Sequence, residues 1–151
     1  MKDTQPAIRN PKSEIRVLVA EDSPTARALL VYLLEEDPDT RVVGQATDGH
    51  QAVEMAAGLR PDLVTMDVVL PDMDGLEATR RIMARCPVPI LIVTAHADSP
   101  ELNVAFEALK AGALDMVAKP AGFGEGEDED WGRELVAKVK ALAGVHPRPV
   151  V

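Results

Sequence analysis

The chain has 151 residues, enough for one domain with its own core, and its 46% hydrophobic content fits a folded globule. Sixteen basic against 25 acidic residues give a net charge of −9, which repels phosphate backbones and leaves no basic stripe, so direct nucleic-acid binding is excluded. Aromatic residues make up only 3%, so the core must be aliphatic, as in strands covered by helices on both faces.

Residues 1–14 are polar, contain Pro6 and Pro11, show no period, and read as a loose lead-in. Residues 15–20 form a β-branched strand that stops at Glu21-Asp22, after which Ser23-Pro24 opens a helix to about Glu36 with a hydroxyl cap and a proline in the first turn. Residues 41–46 read as a second strand, and Asp48-Gly49 leads into a helix ending near Ala57, with Gly58 as its stop. The third strand, 63–66, delivers Asp67 to a turn-rich segment holding Pro71, Asp74 and Gly75. A helix over 76–85 places Leu76, Thr79, Ile82 and Met83 on one side and Arg80, Arg81 and Arg85 on the other. Residues 89–93 are a nearly pure aliphatic strand ending at Thr94-Ala95-His96, and Ser99-Pro100-Glu101 repeats the capping signal for a helix to 111, with Gly112 at its end. A fifth strand over 113–118 stops at Lys119-Pro120. The acidic stretch 122–130 reads as a solvated loop, residues 131–143 as a last helix starting at Trp131, and 144–151 as a linker or tail.

Five strands alternating with five helices imply right-handed crossovers and an α/β fold, a doubly wound five-stranded parallel sheet with helices on both faces. In such sheets, polar loops and helix N-termini gather at the carboxyl ends of the strands. Those ends carry Glu21-Asp22, Asp67, Thr94 and Lys119. Two carboxylates 4 Å apart repel by ~4 kcal/mol at an effective dielectric of 20, so the cluster calls for a counter-charge. A hard divalent cation such as Mg²⁺ supplies one, taking one or two carboxylates together with phosphate oxygens and water. With an ammonium (Lys119) and a hydroxyl (Thr94) aimed at the same point, the group fits a phosphoryl site, and Asp67 is the natural nucleophile, forming an acyl phosphate. Each residue alone is commonplace: an aspartate after a strand is more often a turn or cap, and a Lys-Pro more often a loop. The ensemble is what departs from that expectation.

The motifs Val17-Leu18-Val19-Ala20-Glu21-Asp22-Ser23, Asp62-Leu63-Val64-Thr65-Met66-Asp67 with Pro71-Asp72-Met73-Asp74-Gly75, Thr94-Ala95, and Gly112-Ala113 through Lys119-Pro120 resemble the receiver domains of bacterial two-component response regulators. The likeness covers residues 15–143. It implies a flavodoxin-like strand order 2-1-3-4-5 and phosphorelay signal transduction, with Asp67 taking a phosphoryl group from a sensor histidine kinase. It further implies Mg²⁺ held by Asp22, Asp67 and the backbone carbonyl of Val69, with Glu21 acting through water. Lys119 and Thr94 would bind the phosphoryl group, a small Ala95 would keep the approach open, and the peptide before Pro120 would be cis. Glu21 stands where aspartate is commoner, and Met116 stands at a switch position usually aromatic, where a core methionine is an equal reading.

Within that family, the block from Ala105 to Pro120 most resembles the receivers of chemotaxis methylesterases. No esterase domain is expected in the chain, so it is read as a non-enzyme that catalyses only its own phosphorylation and dephosphorylation. Its expected partners are the kinase and an output domain or effector, with the receiver itself a monomer or a phosphorylation-dependent homodimer. A haloacid-dehalogenase-type phosphatase is the competing enzyme reading, but it wants an aspartate two residues after the nucleophile, where Val69 stands. A receiver-like interaction module that is not phosphorylated is the third reading. The lone Cys86 precludes an intrachain disulfide, and no stretch approaches the ~20 apolar residues of a membrane span, so a soluble cytoplasmic protein is expected.

Overall fold

The structure is a computed structural model that describes residues 14–94, 100–119 and 128–145. Its five strands are β1 (Ile15–Ala20), β2 (Thr40–Ala46), β3 (Leu63–Asp67), β4 (Ile90–Thr94) and β5 (Asp115–Ala118). Between and after them lie α1 (Pro24–Glu36), α2 (Gly49–Leu59), α3 (Gly75–Arg85), α4 (Glu101–Lys110) and α5 (Asp128–Leu142). All strand pairs are parallel, and the order across the sheet is β2-β1-β3-β4-β5, the expected 2-1-3-4-5.

The central strands are apolar on both faces, yet their alternation still sorts the core into two halves. Leu18, Val64, Met66, Ile90 and Ile92 point to one face and pack with Ala52, Ile82, Ala105 and Ala108 of α2, α3 and α4. Val17, Val19, Leu63, Leu91 and Val93 point to the other and pack with Leu30 and Leu34 of α1 and with Leu135 and Val139 of α5. Burying each such side chain contributes about 1.5–3 kcal/mol, so two largely aliphatic layers hold the sheet, with Trp131 the one aromatic ring buried among the described residues. On α3, Thr79, Ile82 and Met83 are buried and Leu76 is half-buried, while Arg80, Arg81 and Arg85 are exposed, as the helical period predicts.

Local chemistry sets the helix starts. Ser23 Oγ accepts the Ala26 amide at 3.3 Å, Asp48 Oδ1 accepts the Gln51 amide at 2.7 Å, and Asp74 Oδ1 accepts the Glu77 amide at 2.9 Å. The end of α2 differs from expectation. Gly58 lies inside the helix, and the stop is Arg60, left-handed at φ 49°. The Arg16 guanidinium donates to the Arg60 and Leu59 carbonyls at 2.8 and 3.0 Å, and these tertiary bonds hold a conformation that costs a non-glycine residue about 1 kcal/mol. The fifth strand begins two residues later than predicted, at Asp115, because Ala113 still closes the α4 C-terminus by donating to Ala108 O at 3.1 Å. The last helix begins three residues earlier, at Asp128, so Glu129 and Asp130 lie in its first turn, where acidic residues complement the helix dipole. Ala95, His96, Ser99 and Pro120, with the peptide before it, lie outside the described residues.

Candidate phosphoryl site

Asp67 is the last residue of β3, the central strand, and its position is fixed from two sides. Its Oδ1 accepts the Val69 amide at 3.0 Å, and Gly75 donates its amide to Val68 O at 3.0 Å, folding the loop back on the strand end. Glycine is needed there: a Cβ at position 75 would stand 2.1 Å from the Asp67 carbonyl oxygen, an impossible contact.

Across the strand ends, the Lys119 ammonium lies 2.8 Å from Glu21 Oε1 and 3.2 Å from Asp67 Oδ2. Its backbone is anchored by donation of the Lys119 amide to Thr94 O at 2.9 Å. Glu21 is the most enclosed of the carboxylates, 2% exposed, and its Oε2 accepts the Ser23 amide at 3.1 Å. Burial, and then the charge of Asp67, push the Glu21 carboxyl above its ordinary range in spite of Lys119. For Lys119, burial acts to lower the ammonium, but the charges of Asp67 and Glu21 outweigh it and the net direction is upward. Asp22 is exposed, and its carbonyl, like that of Glu21, accepts from the Arg27 guanidinium.

These groups line one cleft of about 300 Å³, formed by Glu21, Asp22, Ser23, Asp67, Val69, Glu101 and Lys119. Of the residues predicted from sequence, five therefore meet around it. Thr94 does not line the cleft: it is fully buried at the end of β4, and its Oγ1 has no hydrogen-bond partner among the described residues. Met116 is half-buried and packs against the core on the α2–α3–α4 side. Glu101 was not foreseen as a lining residue. Its place right after Pro100 at a helix start was the available signal, since helix N-termini cluster at this end of the sheet.

Among the described residues, no three His, Cys, Asp or Glu side chains are gathered closely enough to hold a metal alone. The donor set is nonetheless all oxygen: the carboxylates of Asp22 and Asp67 share the cleft with Val69 and with a Lys-bound glutamate. That chemistry fits a hard divalent cation which takes few protein ligands and leaves its other positions to water and phosphoryl oxygens.

The family model of the response regulator receiver domain matches residues 17–128. The chain belongs to this family. This receiver is 50% identical over 131 residues, 87% of its length, to protein-glutamate methylesterase/protein-glutamine glutaminase 3 of Anaeromyxobacter dehalogenans, covering 38% of that protein. It is 49% identical over 131 residues, 87% of its length, to the corresponding protein 4 of Myxococcus xanthus, covering 37% of it. The chain thus spans well under half the length of these curated relatives. Among solved structures, the response regulator domain of Thermotoga maritima CheB superposes with a TM-score of 0.80 at 36% identity, over 89% of this chain and 99% of that one. The receiver domain of a Pseudomonas aeruginosa sensor histidine kinase, with magnesium coordinated in its active-site cleft, matches at a TM-score of 0.71 and 31% identity, over 87% of this chain and 99% of that one. The fold and the two-component role read from the strand-end motifs are therefore those of the family. No helix among the described residues is long and apolar enough to cross a membrane.

Proposed function

We propose that Asp67 is the phosphoacceptor of this receiver, attacking the phosphorus of a phosphohistidine on a sensor kinase. A new Oδ–P bond forms as the N–P bond breaks and the imidazole leaves. The observation that carries this reading is the Lys119 ammonium 3.2 Å from Asp67 Oδ2 at the mouth of an all-oxygen cleft. The ammonium is placed to neutralise charge on the transferred group, and the Val69 amide, 3.0 Å from Oδ1, orients the nucleophile. Thr94, whose buried hydroxyl has no hydrogen-bond partner among the described residues, lies behind the cleft lining and would have to turn toward the cleft to bond a phosphoryl oxygen. Mg²⁺, when bound, offsets the negative charge of the carboxylates and the phosphoryl group. Asp22, Asp67 and the Val69 carbonyl would hold it, and Glu21 would act through a water. Val69 is apolar and exposed, so no second aspartate stands where the dehalogenase-type phosphatase reading requires an acid.

The receiver would comprise residues 15–143, with 1–14 a lead-in and 144–151 a linker or tail, and would act on an output domain or effector. By analogy with its relatives, that output is a protein-glutamate methylesterase in chemotaxis. The experiment is intact-mass measurement after incubation with acetyl phosphate and Mg²⁺. One added phosphoryl group on the native chain and none on Asp67→Ala supports the reading; equal labelling of both refutes it.

A further inference from the structure

The catalytic cleft depends on where Lys119 stands, and Lys119 stands at the end of an edge strand. Among the described residues β5 pairs with β4 alone, so the backbone groups on its outer side meet no described strand. The Ala118 carbonyl and the Lys119 amide share one peptide plane and point in opposite directions, as a trans peptide requires. The amide is turned inward to Thr94 O at 2.9 Å, so the carbonyl faces the open edge. There the indole Nε1 of Trp131 donates to it at 2.7 Å. The plane is thus gripped at both ends, by β4 on one side and by α5 on the other. Trp131 is itself fixed, 6% exposed in the core with Val117, Leu135 and Val139.

We infer that Trp131 is a positioning residue for Lys119, tying the first turn of α5 to the ammonium that faces Asp67. The mechanism is leverage. The peptide plane sets the direction in which Lys119 leaves the backbone, and a four-carbon stem enlarges any tilt at its tip. Displacement of a catalytic group by ~1 Å is enough to cost a large factor in rate. A tryptophan buried for packing alone would also satisfy its N–H, but on any nearby acceptor. Here the acceptor is the carbonyl of the one peptide whose nitrogen belongs to the catalytic lysine. The inference rests on the phosphoacceptor reading for its effect on rate, but not for its effect on the lysine.

The test exploits the fact that the chain has a single tryptophan. Trp131 is replaced by 3-benzothienylalanine, which keeps the bicyclic ring and lacks the N–H, and separately by phenylalanine (Trp131→Phe). Three quantities are read: the urea midpoint, the ¹³Cε–¹Hε NMR cross-peak of Lys119 (assigned by its loss in Lys119→Ala), and the rate of phosphorylation by acetyl phosphate. In the benzothienyl protein the Lys119 cross-peak is expected to move and the rate to fall about threefold to tenfold, the factor one hydrogen bond commands. A lowered urea midpoint with cross-peak and rate unmoved would mean that Trp131 only packs, and overturns the inference. A slower rate with an unmoved cross-peak overturns it too, because the effect would then not pass through Lys119. If Trp131→Phe does not fold, the benzothienyl protein alone decides. A native chain that takes no phosphoryl group refutes the phosphoacceptor reading, and the Lys119 cross-peak still decides the positioning.

Discussion

Replacing Lys119 with methionine keeps the stem and removes the charge that separates Glu21 from Asp67. The ammonium stands 2.8 and 3.2 Å from the two carboxylates, whose side chains are only 2% and 9% exposed, while Lys119 itself is 17% exposed. Removing one partner from a buried ionic group costs ~3–5 kcal/mol, and the partial exposure of the lysine places this case at the lower end, about 3 kcal/mol. That is a large share of the ~5–15 kcal/mol that holds a domain together. The loss should depend on pH. Glu21 has its folded pKa raised above 4.5, first by burial and then by Asp67. The stability such a group contributes is fully present below its unfolded pKa and is lost as pH rises through the folded one. Lys119 is the larger of two influences that lower Glu21 in the native chain, the Ser23 amide being the other, so without it the folded value climbs further and the variant's deficit grows toward higher pH. Urea unfolding followed by Trp131 fluorescence, in Mg²⁺-free buffer near pH ~5 and ~7.5, measures both terms. A wild-type midpoint at the higher pH, or an equal deficit at both, would refute the electrostatic account of this cluster.

Other perturbations reach the same site by different routes. Mg²⁺ should stabilise the fold by ~2.7 kcal/mol at a hundredfold excess over its dissociation constant, visible as a raised thermal midpoint; a midpoint indifferent to Mg²⁺ counts against an all-oxygen metal cleft. Gly75→Ala drives a Cβ to within 2.1 Å of the Asp67 carbonyl, so it should cost about 1–3 kcal/mol and slow phosphorylation as well. Unchanged labelling would show that the loop gives way without moving the aspartate. Arg16→Ala removes both donors to the α2 C-terminal carbonyls and should lower stability by about 1–3 kcal/mol in urea titration while leaving phosphorylation intact. Asp74→Ala, which loses the α3 cap at Glu77, should cost ~1 kcal/mol by the same assay.

What could be read in the sequence was whatever a short window decides. Short apolar runs bounded by turn residues located all five strands, the Ser23-Pro24 cap and the Asp48-Gly49 turn located helix starts, and strand-end carboxylates marked the candidate site's face. What could not be read was set by residues distant in the chain. The end of α2 at Arg60 is decided by Arg16, 44 positions away, where a local rule pointed to Gly58. The grip of Lys119 on Glu21 reflects the extra methylene of a glutamate, which lets a carboxylate after β1 meet an ammonium after β5. The role of Trp131 was hidden for the same reason: its partner is a backbone carbonyl, which leaves no trace in residue type.

The outer margin of the sheet beside the site is poorly suited to recruit another strand. β5 is only four residues long, and its last outward carbonyl is already engaged by an indole. Its first residue, Asp115, is bound on one side chain oxygen by Lys138 at 2.8 Å and on the other by the Met116 amide at 2.7 Å. An intruding β-segment would find few open hydrogen-bonding groups there, which disfavours polymerisation through this border. Any module that senses the state of Asp67 from this flank must therefore engage side chains rather than extend the ladder.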